Sequence, residues 1–497
     1  LAVHAAAQTM PLSSIKLSSA PGAPFRFEIT VAGTSADAQE RCFSISGTPA
    51  SGDAPLTREY ALRDTSHEAY LDLYAAIARD FGICMPRNRR EPEAPPSDTR
   101  YTALLTHNLS AGILYGYGDP AVLRVPDVPG SACAFTYYLV VTSNDAPDSF
   151  PILRSRDLVQ WEPAGFVFPE GNKPRWAADG EGVSDYWAPE LHCVQGEFRV
   201  YFCARMKHSG ELAIGLARSP SPLGPFVPDE QPLIAGGVID PHLLVDAQGI
   251  DYLFWKQDTN DRWPGLLSDL LYRHGELTAA LFPDIERQRT ASLCQALWPW
   301  VQTLHPMERF LALQPLIEAT VSDFSTFRNR LTGLALQLAE HKTLESISRD
   351  VLDAMRTPIF GQQLAPDGVT FVGERAVVLM NDRPWEAHLV EGIWVAREGP
   401  KFYLFYAGND FSTADYGIGV AVADAPLGPY VKIDAPLLRS TAQWSGPGHP
   451  SVADGLDGRP QLFLHGFFPG HTGYKAFRAL LTIPIAFNAG QVVLRSR

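Results

Sequence analysis

Cysteine is scarce in this chain. Six residues in 497 (Cys42, Cys84, Cys133, Cys193, Cys203 and Cys294) lie scattered, with no Cys-x-x-Cys pair. That excludes a zinc ribbon and a disulfide-dense scaffold, and all six read as free thiols. Long hydrophobic runs are lacking as well, since no stretch approaches the ~18 apolar residues of a membrane-spanning helix. Basic excess is also missing: 41 Lys and Arg face 55 Asp and Glu, a formal charge of −14. Such a chain repels a phosphate backbone, which sets nucleic acid aside as a partner. Nor is there a disorder signature, with 45% hydrophobic and 19% charged residues.

Glycine (40) and proline (41) are abundant, which favours many short strands joined by turns. The opening Leu1-Ala-Val-His-Ala-Ala-Ala-Gln8 lacks Met and is rich in small residues. It resembles the tail of a secretory leader and inclines the reading towards a secreted or periplasmic location, although an added segment fits equally well.

The chain repeats itself. Ser221-Pro-Leu-Gly-Pro-Phe226 returns as Ala425-Pro-Leu-Gly-Pro-Tyr430, each copy after an apolar strand containing Gly. A subtler unit occurs five times: a polar residue opens a short strand, a turn follows, and an aromatic-rich strand answers. The openings are Gly118-Asp-Pro, Tyr186-Trp-Ala-Pro-Glu, Ile239-Asp-Pro-His, Val390-Glu-Gly and Gly448-His-Pro. Their answers include Phe135-Thr-Tyr-Tyr-Leu, Phe198-Arg-Val-Tyr-Phe and Lys401-Phe-Tyr-Leu-Phe-Tyr. Val, Tyr and Phe favour strands, and the Gly, Asp and Gln between them favour turns. Five such units arranged radially predict an all-β fold, a five-bladed β-propeller, with the polar openings converging on one axis.

The step from Asp240 to Glu391 is far longer than the others. Its middle, about residues 264–356, carries apolar residues at three-to-four spacing and reads as a helical insertion within the third blade. Residues 1–100 read as a separate small α+β region, with strands near Phe25–Val31 and Arg41–Ser46 and a helix over His67–Phe81. A Pro- and charge-rich linker follows from Pro86. Residues 101–263 and 357–497 are then the propeller.

Three opening positions are carboxylates: Asp119, Asp240 and Glu391. Three acids in one cleft repel one another, an arrangement that chemistry or a cation must justify. Glycoside hydrolysis uses such a set: one carboxylate activates water, one carboxylic acid protonates the leaving oxygen, and a further charge keeps that acid protonated. Glu398, in Glu398-Gly-Pro400, also resembles an acid motif. It falls where a hairpin must turn between Trp394-Val-Ala-Arg and Phe402-Tyr-Leu-Phe-Tyr, so strand register favours Glu391.

The five openings in order, with Arg154-Ser-Arg-Asp-Leu-Val-Gln-Trp161 and the Gly-Pro-Phe and Gly-Pro-Tyr turns, resemble glycoside hydrolase family 43 over residues 115–497 without the insertion. The resemblance implies a five-bladed propeller and inverting hydrolysis of arabinofuranosides and xylosides. Asp119 would be the general base, Glu391 the general acid, and Asp240 the residue that tunes and orients the acid. One departure is Ile393, where the family often has Pro after Glu-Gly.

Other positions have two readings each. His449 would face a Ca2+ ion or water on the axis, or simply hydrogen-bond. Arg478 would contact sugar hydroxyls or form a salt bridge. Trp187 and Tyr117 would offer stacking faces or pack in the core. Glu190, a fourth carboxylate near the axis, would form an ion pair or a turn bond. No cofactor is needed for the chemistry.

The substrate expected is an arabinose- or xylose-containing oligosaccharide or polysaccharide. Release of terminal α-L-arabinofuranosyl residues comes first, then β-xylosidase or dual activity, then a propeller that binds sugar without cutting it. A retaining fructan hydrolase is disfavoured, because Asn-Asp-Pro-Asn-Gly and Glu-Cys do not occur. The sequence leaves the oligomeric state open.

Overall fold

A computed structural model of the chain describes residues 14–33, 40–52, 54–89, 95–127, 134–260, 262–337 and 342–495. The opening octapeptide, Cys133 and part of the linker after Pro86 lie outside these residues. The other five cysteines are free thiols. The protein is mostly β, and its contacts divide it into two units.

The larger unit, residues 90–262 and 352–497, contains five sheets, each an antiparallel meander in chain order. The first runs Ala121–Pro126, Phe135–Val140, Ser149–Ser155 and Trp161–Phe168. The second runs Trp187–Val194, Glu197–Arg205, Leu212–Ser219 and Val227–Pro228. The third runs Val238–Val245, Asp251–Gln257, Pro358–Leu364 and Phe371–Met380. The fourth runs Val390–Glu398, Lys401–Gly408, Gly417–Ala423 and Val431–Lys432. The fifth runs Ser445–Asp454, Pro460–Phe467, Arg478–Asn488 and Gln491–Leu494, and Thr102–Leu105 pairs onto its third strand. The two Pro-Leu-Gly-Pro copies form equivalent turns, each leading into the two-residue outer strand of its sheet.

The first strand of each sheet lies against that of the next, and the fifth sheet's lies against the first's. Strands packed on both faces read as near-continuous apolar runs, and the central ones do. Glu197–Arg205, for example, is buried from Phe198 onward. The core accordingly forms slabs between consecutive sheets. Phe150, Phe168 and Phe202 meet between the first and second, and Leu404, Tyr406 and Ile359 between the third and fourth. Truncating a residue such as Phe202 to Ala would cost ~3–5 kcal/mol.

Inner strands share a further feature that positions the site. Asp119, Ala188, Asp240, Gly392 and His449 all have positive φ, between 45° and 62°. In the second to fifth sheets the pairing slips by a residue at this step, a β-bulge. Pro follows the left-handed residue in four sheets and cannot donate to the ladder, so a bulge at that point loses no hydrogen bond. In the fourth sheet the flexible Gly392 takes the left-handed position itself and Ile393 follows. The structure therefore corrects the equivalence drawn from sequence. Asp119, Asp240 and His449 are equivalent, whereas Glu391 stands one residue earlier, level with Gly118 and Ile239.

The second unit joins residues 1–89 to 263–351, which corrects their reading as separate parts. Four antiparallel strands, Ser14–Ser18, Phe27–Ala32, Arg41–Gly47 and Leu56–Leu62, make one sheet. Phe27, Ile29, Val31, Phe43 and Ile45 are buried on one face, as strand alternation dictates. The helix expected over His67–Phe81 is present with those bounds, capped by the Ser66 hydroxyl and ended by left-handed Gly82. That helix reaches one end of the sheet's apolar face, where Phe81 meets Phe27 edge-on at 5.7 Å. The insertion covers more of it: helix Ile285–Val301 packs on the first two strands, and Trp300 meets Phe43 edge-on at 5.3 Å. Tyr74 donates to the Ala312 carbonyl at 2.6 Å, and Arg41 pairs with Glu308 and Arg87 with Glu318, all buried.

Candidate active site

The bulges aim their side chains at one another. Left-handed φ is several-fold commoner for Asp than for most residues, and strain of this kind collects at working sites. Asp119 is surrounded by donors. Arg478 Nη1 donates to Oδ1 at 2.8 Å and the Thr142 hydroxyl to Oδ2 at 2.5 Å. Thr142 Oγ1 already accepts the Ala188 N–H at 2.8 Å, so its own proton is committed to Asp119. His449 brings Nδ1 to 3.4 Å from Oδ1, and His465 Nδ1, at the same distance, accepts the Asp119 backbone N–H at 3.1 Å. Burial alone would raise the Asp119 carboxyl, but Arg478 and the two imidazoles outweigh it and hold the group well below the usual carboxylate range.

The other two acids are pushed the opposite way. Burial, with the charge of Asp119 adding to it, raises Asp240 to about 6 against the pull of Lys256 and of the Gly392 N–H. That N–H donates to Asp240 Oδ2 at 2.7 Å, tying the third sheet's acid to the residue after Glu391. Glu391 is 7% exposed and is raised by burial, then by Asp240, although Lys256 pulls it down. Its Oε2 accepts from Lys256 Nζ at 2.8 Å and its Oε1 from the Tyr416 hydroxyl at 2.9 Å. Tyr416 feels all three carboxylates, which raise its hydroxyl further after burial has done so. Three acids thus share one electrostatic neighbourhood with their acidities driven apart, the signature of a base and an acid assigned by environment.

The remaining positions separate. Arg478 serves Asp119. Tyr117 is fully buried, and its hydroxyl donates to the His107 carbonyl at 2.8 Å and accepts the Leu109 N–H, so it packs and cannot stack on a sugar. Trp187 is half-buried, with its indole N–H on Asn144 Oδ1 at 2.9 Å. Glu398 is exposed at the hairpin end opposite Lys401, as register requires. Glu190 is an ion-pair and hydrogen-bond centre: His192 Nε2 and His242 Nδ1 both lie 2.8 Å from its Oε2.

Neither histidine cluster fits a metal. His242 Nε2 accepts the Val395 N–H at 2.9 Å, so the proton is on Nδ1, the atom that would have to ligate. Calcium prefers six to eight oxygens. His449 offers nitrogen, and the carboxylate it approaches, Asp119, is committed on both oxygens to Arg478 and Thr142.

Sequence reasoning missed Lys256, Tyr416, Thr142 and His465. One signal was available: a lysine inside the apolar strand Asp251-Tyr-Leu-Phe-Trp-Lys-Gln must have a buried counter-charge. The others are ordinary strand and loop residues, and only the fold brings them to the acids.

A mostly β unit with paired acids of split acidity has the makings of a glycosidase. The family model for glycosyl hydrolases family 43 matches residues 117–279 and 347–492, well over half of the chain, and the chain belongs to that family. It is 41% identical over 69 residues to a xylosidase/arabinosidase 43A of Humicola insolens, covering 14% of this chain and 21% of that protein. It is 30% identical over 108 residues to a xylosidase/arabinosidase of Bacteroides ovatus, covering 21% and 31%. The alignments thus span less than a third of either relative. A crystal structure of a thermostable family-43 glycoside hydrolase shares the fold, with a TM-score of 0.52 at 23% identity over 79% of this chain and 96% of that one.

Proposed function

We propose that the chain is an inverting glycoside hydrolase that releases terminal α-L-arabinofuranosyl residues from arabinose-containing oligosaccharides or polysaccharides. The observation that carries this is the split of the three carboxylates. Asp119, held ionised by Arg478 and Thr142, is the base that takes a proton from water as its oxygen attacks the anomeric carbon. Glu391, kept protonated by burial, gives its proton to the glycosidic oxygen as that bond breaks. Asp240 keeps the acid protonated by its charge and orients it through the Gly392 N–H. The five sheets are the five blades of a closed propeller in this reading, which the cyclic contact of their first strands supports. In such a propeller, acid and base on different blades have room for the water, at the roughly 6.5–9.5 Å that inversion needs.

β-D-Xylosides are the second substrate class, favoured by the double names of the two relatives. The test is a panel of nitrophenyl glycosides, with the first-formed sugar followed by proton NMR. An inverted anomer from the α-L-arabinofuranoside is expected. Retention overturns the mechanism, binding without turnover of any glycoside overturns the enzyme reading, and faster turnover of the β-xyloside overturns the preference.

A further inference from the structure

Lys256 is an odd neighbour for an acid. It stands in the second strand of the third sheet with no exposed surface, and its ammonium is 2.8 Å from Glu391 Oε2 and 3.6 Å from Asp258. Burial would strip its proton, but Glu391, Asp258 and Asp240 together keep it charged. A cation there works against a proton donor, because it favours the carboxylate. The geometry shows what it contributes instead.

An ammonium has three donors and no acceptor. While Lys256 is charged, Oε2 accepts from it, and a carbonyl oxygen accepts better than a hydroxyl oxygen, so the transferable proton of Glu391 is favoured on Oε1. Tyr416 faces that oxygen, and its hydroxyl can either donate to the carboxylate or accept from the acid.

We propose that Lys256 is a positioning residue for the acid: it fixes the proton on Oε1 and stabilises the carboxylate that remains once the proton has gone to the leaving oxygen. This rests on the reading of Glu391 as the acid. The step balances without a further reactant. The O–H bond of Glu391 breaks and a new one forms on the glycosidic oxygen, which keeps the electron pair of its severed bond to the anomeric carbon. The buried carboxylate left behind is met by a charge already in place. The charged and titratable groups facing Glu391 among the described residues then have assigned parts. Asp240 on the third sheet's inner strand opposes ionisation, Lys256 favours it, and Tyr416, ahead of strand Gly417–Ala423, hydrogen-bonds the opposite oxygen. Asp258 stands 3.6 Å from Lys256, Asp119 adds its charge at Asp240 and Tyr416, and His449 on the fifth sheet packs against Gly392.

The test compares Lys256→Met, Lys256→Gln and Lys256→Arg with wild type over pH. Each is followed by kcat/KM on a poor and a good leaving group, and by the infrared band of the protonated carboxyl that vanishes in Glu391→Gln. Losing a contact cation raises a carboxyl by ~1–3 units, so the alkaline limb and the band midpoint should both move up by that much in the Met and Gln variants. Lys256→Arg should hold both near wild type. Turnover of the poor leaving group should fall about tenfold or more, a share of the ~10²–10⁴ typical of general acid catalysis. If limb and band stay put in folded Met or Gln variants, or move down, the role given to Lys256 is wrong. If Met and Gln both fail to fold, a limb displaced in Lys256→Arg as far as expected for loss of the charge overturns it as well. A band that moves while the limb does not refutes Glu391 as the acid, and the role of Lys256 falls with it.

Discussion

Arg478 can be removed from Asp119 in two independent ways, and the two should agree. The direct route is Arg478→Gln. The indirect route follows from Gly118, over which the guanidinium lies so closely that an added Cβ would fall 1.8 Å from Arg478 Cζ and 2.0 Å from Nε. Gly118→Ala must therefore push the arginine off its carboxylate while leaving it in the chain. Arg478 is the largest influence holding Asp119 ionised against burial, at 2.8 Å from Oδ1. Losing a cation at that distance is worth ~1–3 pH units, or ~1.4–4 kcal/mol between the two protonation states. The sign follows: with the counter-charge gone Asp119 binds a proton at higher pH, and the proposed base is lost sooner as pH falls. Wild type keeps Asp119 ionised through the acid range, so both variants should gain an acidic limb in kcat/KM, one proton in slope, that wild type lacks. The assay is a pH series on an activated arabinofuranoside, with folding checked by circular dichroism at each pH. If both variants lose activity equally at every pH, Arg478 acts on the sugar alone and the account of Asp119 is wrong.

Three further outcomes follow from the same geometry. Asp240 ionises near 6 when folded but near 3.8 in a free chain, so native stability falls as pH rises between those values; Asp240→Asn should be more stable than wild type at pH 7 by about 2–3 kcal/mol and equal to it at pH 3, as read from urea unfolding. Glu391→Gln should slow poor leaving groups by ~10²–10⁴-fold and dinitrophenolates far less, whereas Asp119→Asn should slow both alike; leaving-group dependence in Glu398→Gln instead would move the acid to the hairpin. In the second unit, Arg41→Met strands the buried Glu308 carboxylate, which also holds Tyr70, and should cost ~3–5 kcal/mol, while Arg41→Met with Glu308→Leu should recover most of it in thermal melts.

The sequence disclosed those parts of the fold that repeat or are periodic. The five openings, the long third step and the helix over His67–Phe81 each leave a local pattern, whether of period two, of period 3.6 or of recurrence. The partnership of residues 14–89 with the helices of 263–351 left none. Phe43 and Trp300 are far apart in the chain, and an apolar strand face does not state which distant helix will cover it. Tyr117 misled for a related reason: an aromatic beside Asp119 looks the same in sequence whether it lines a funnel or fills the slab beneath it.

The acids were legible as types but not as geometry, and Glu391 shows why. Read as spelling, Gly118-Asp-Pro, Ile239-Asp-Pro and Val390-Glu-Gly place three carboxylates at one equivalent position. Backbone conformation divides them: Asp119 and Asp240 occupy the left-handed residue of the bulge, and in the fourth sheet Gly392 occupies it. Glu391 is thereby moved one position back along a strand whose side chains alternate in direction. The vacated position is then used twice. The Gly392 N–H binds Asp240, and its missing side chain admits His449, whose Cα would stand 3.0 Å from any Cβ there. A residue with a side chain at 392 would push His449 away and strain a φ of 62°, disturbing the hold on Asp240 at the same time. Glycine after Glu391 is thus required by packing, and the bulge forms with Ile393 in place of a proline because the glycine before it takes the left-handed conformation.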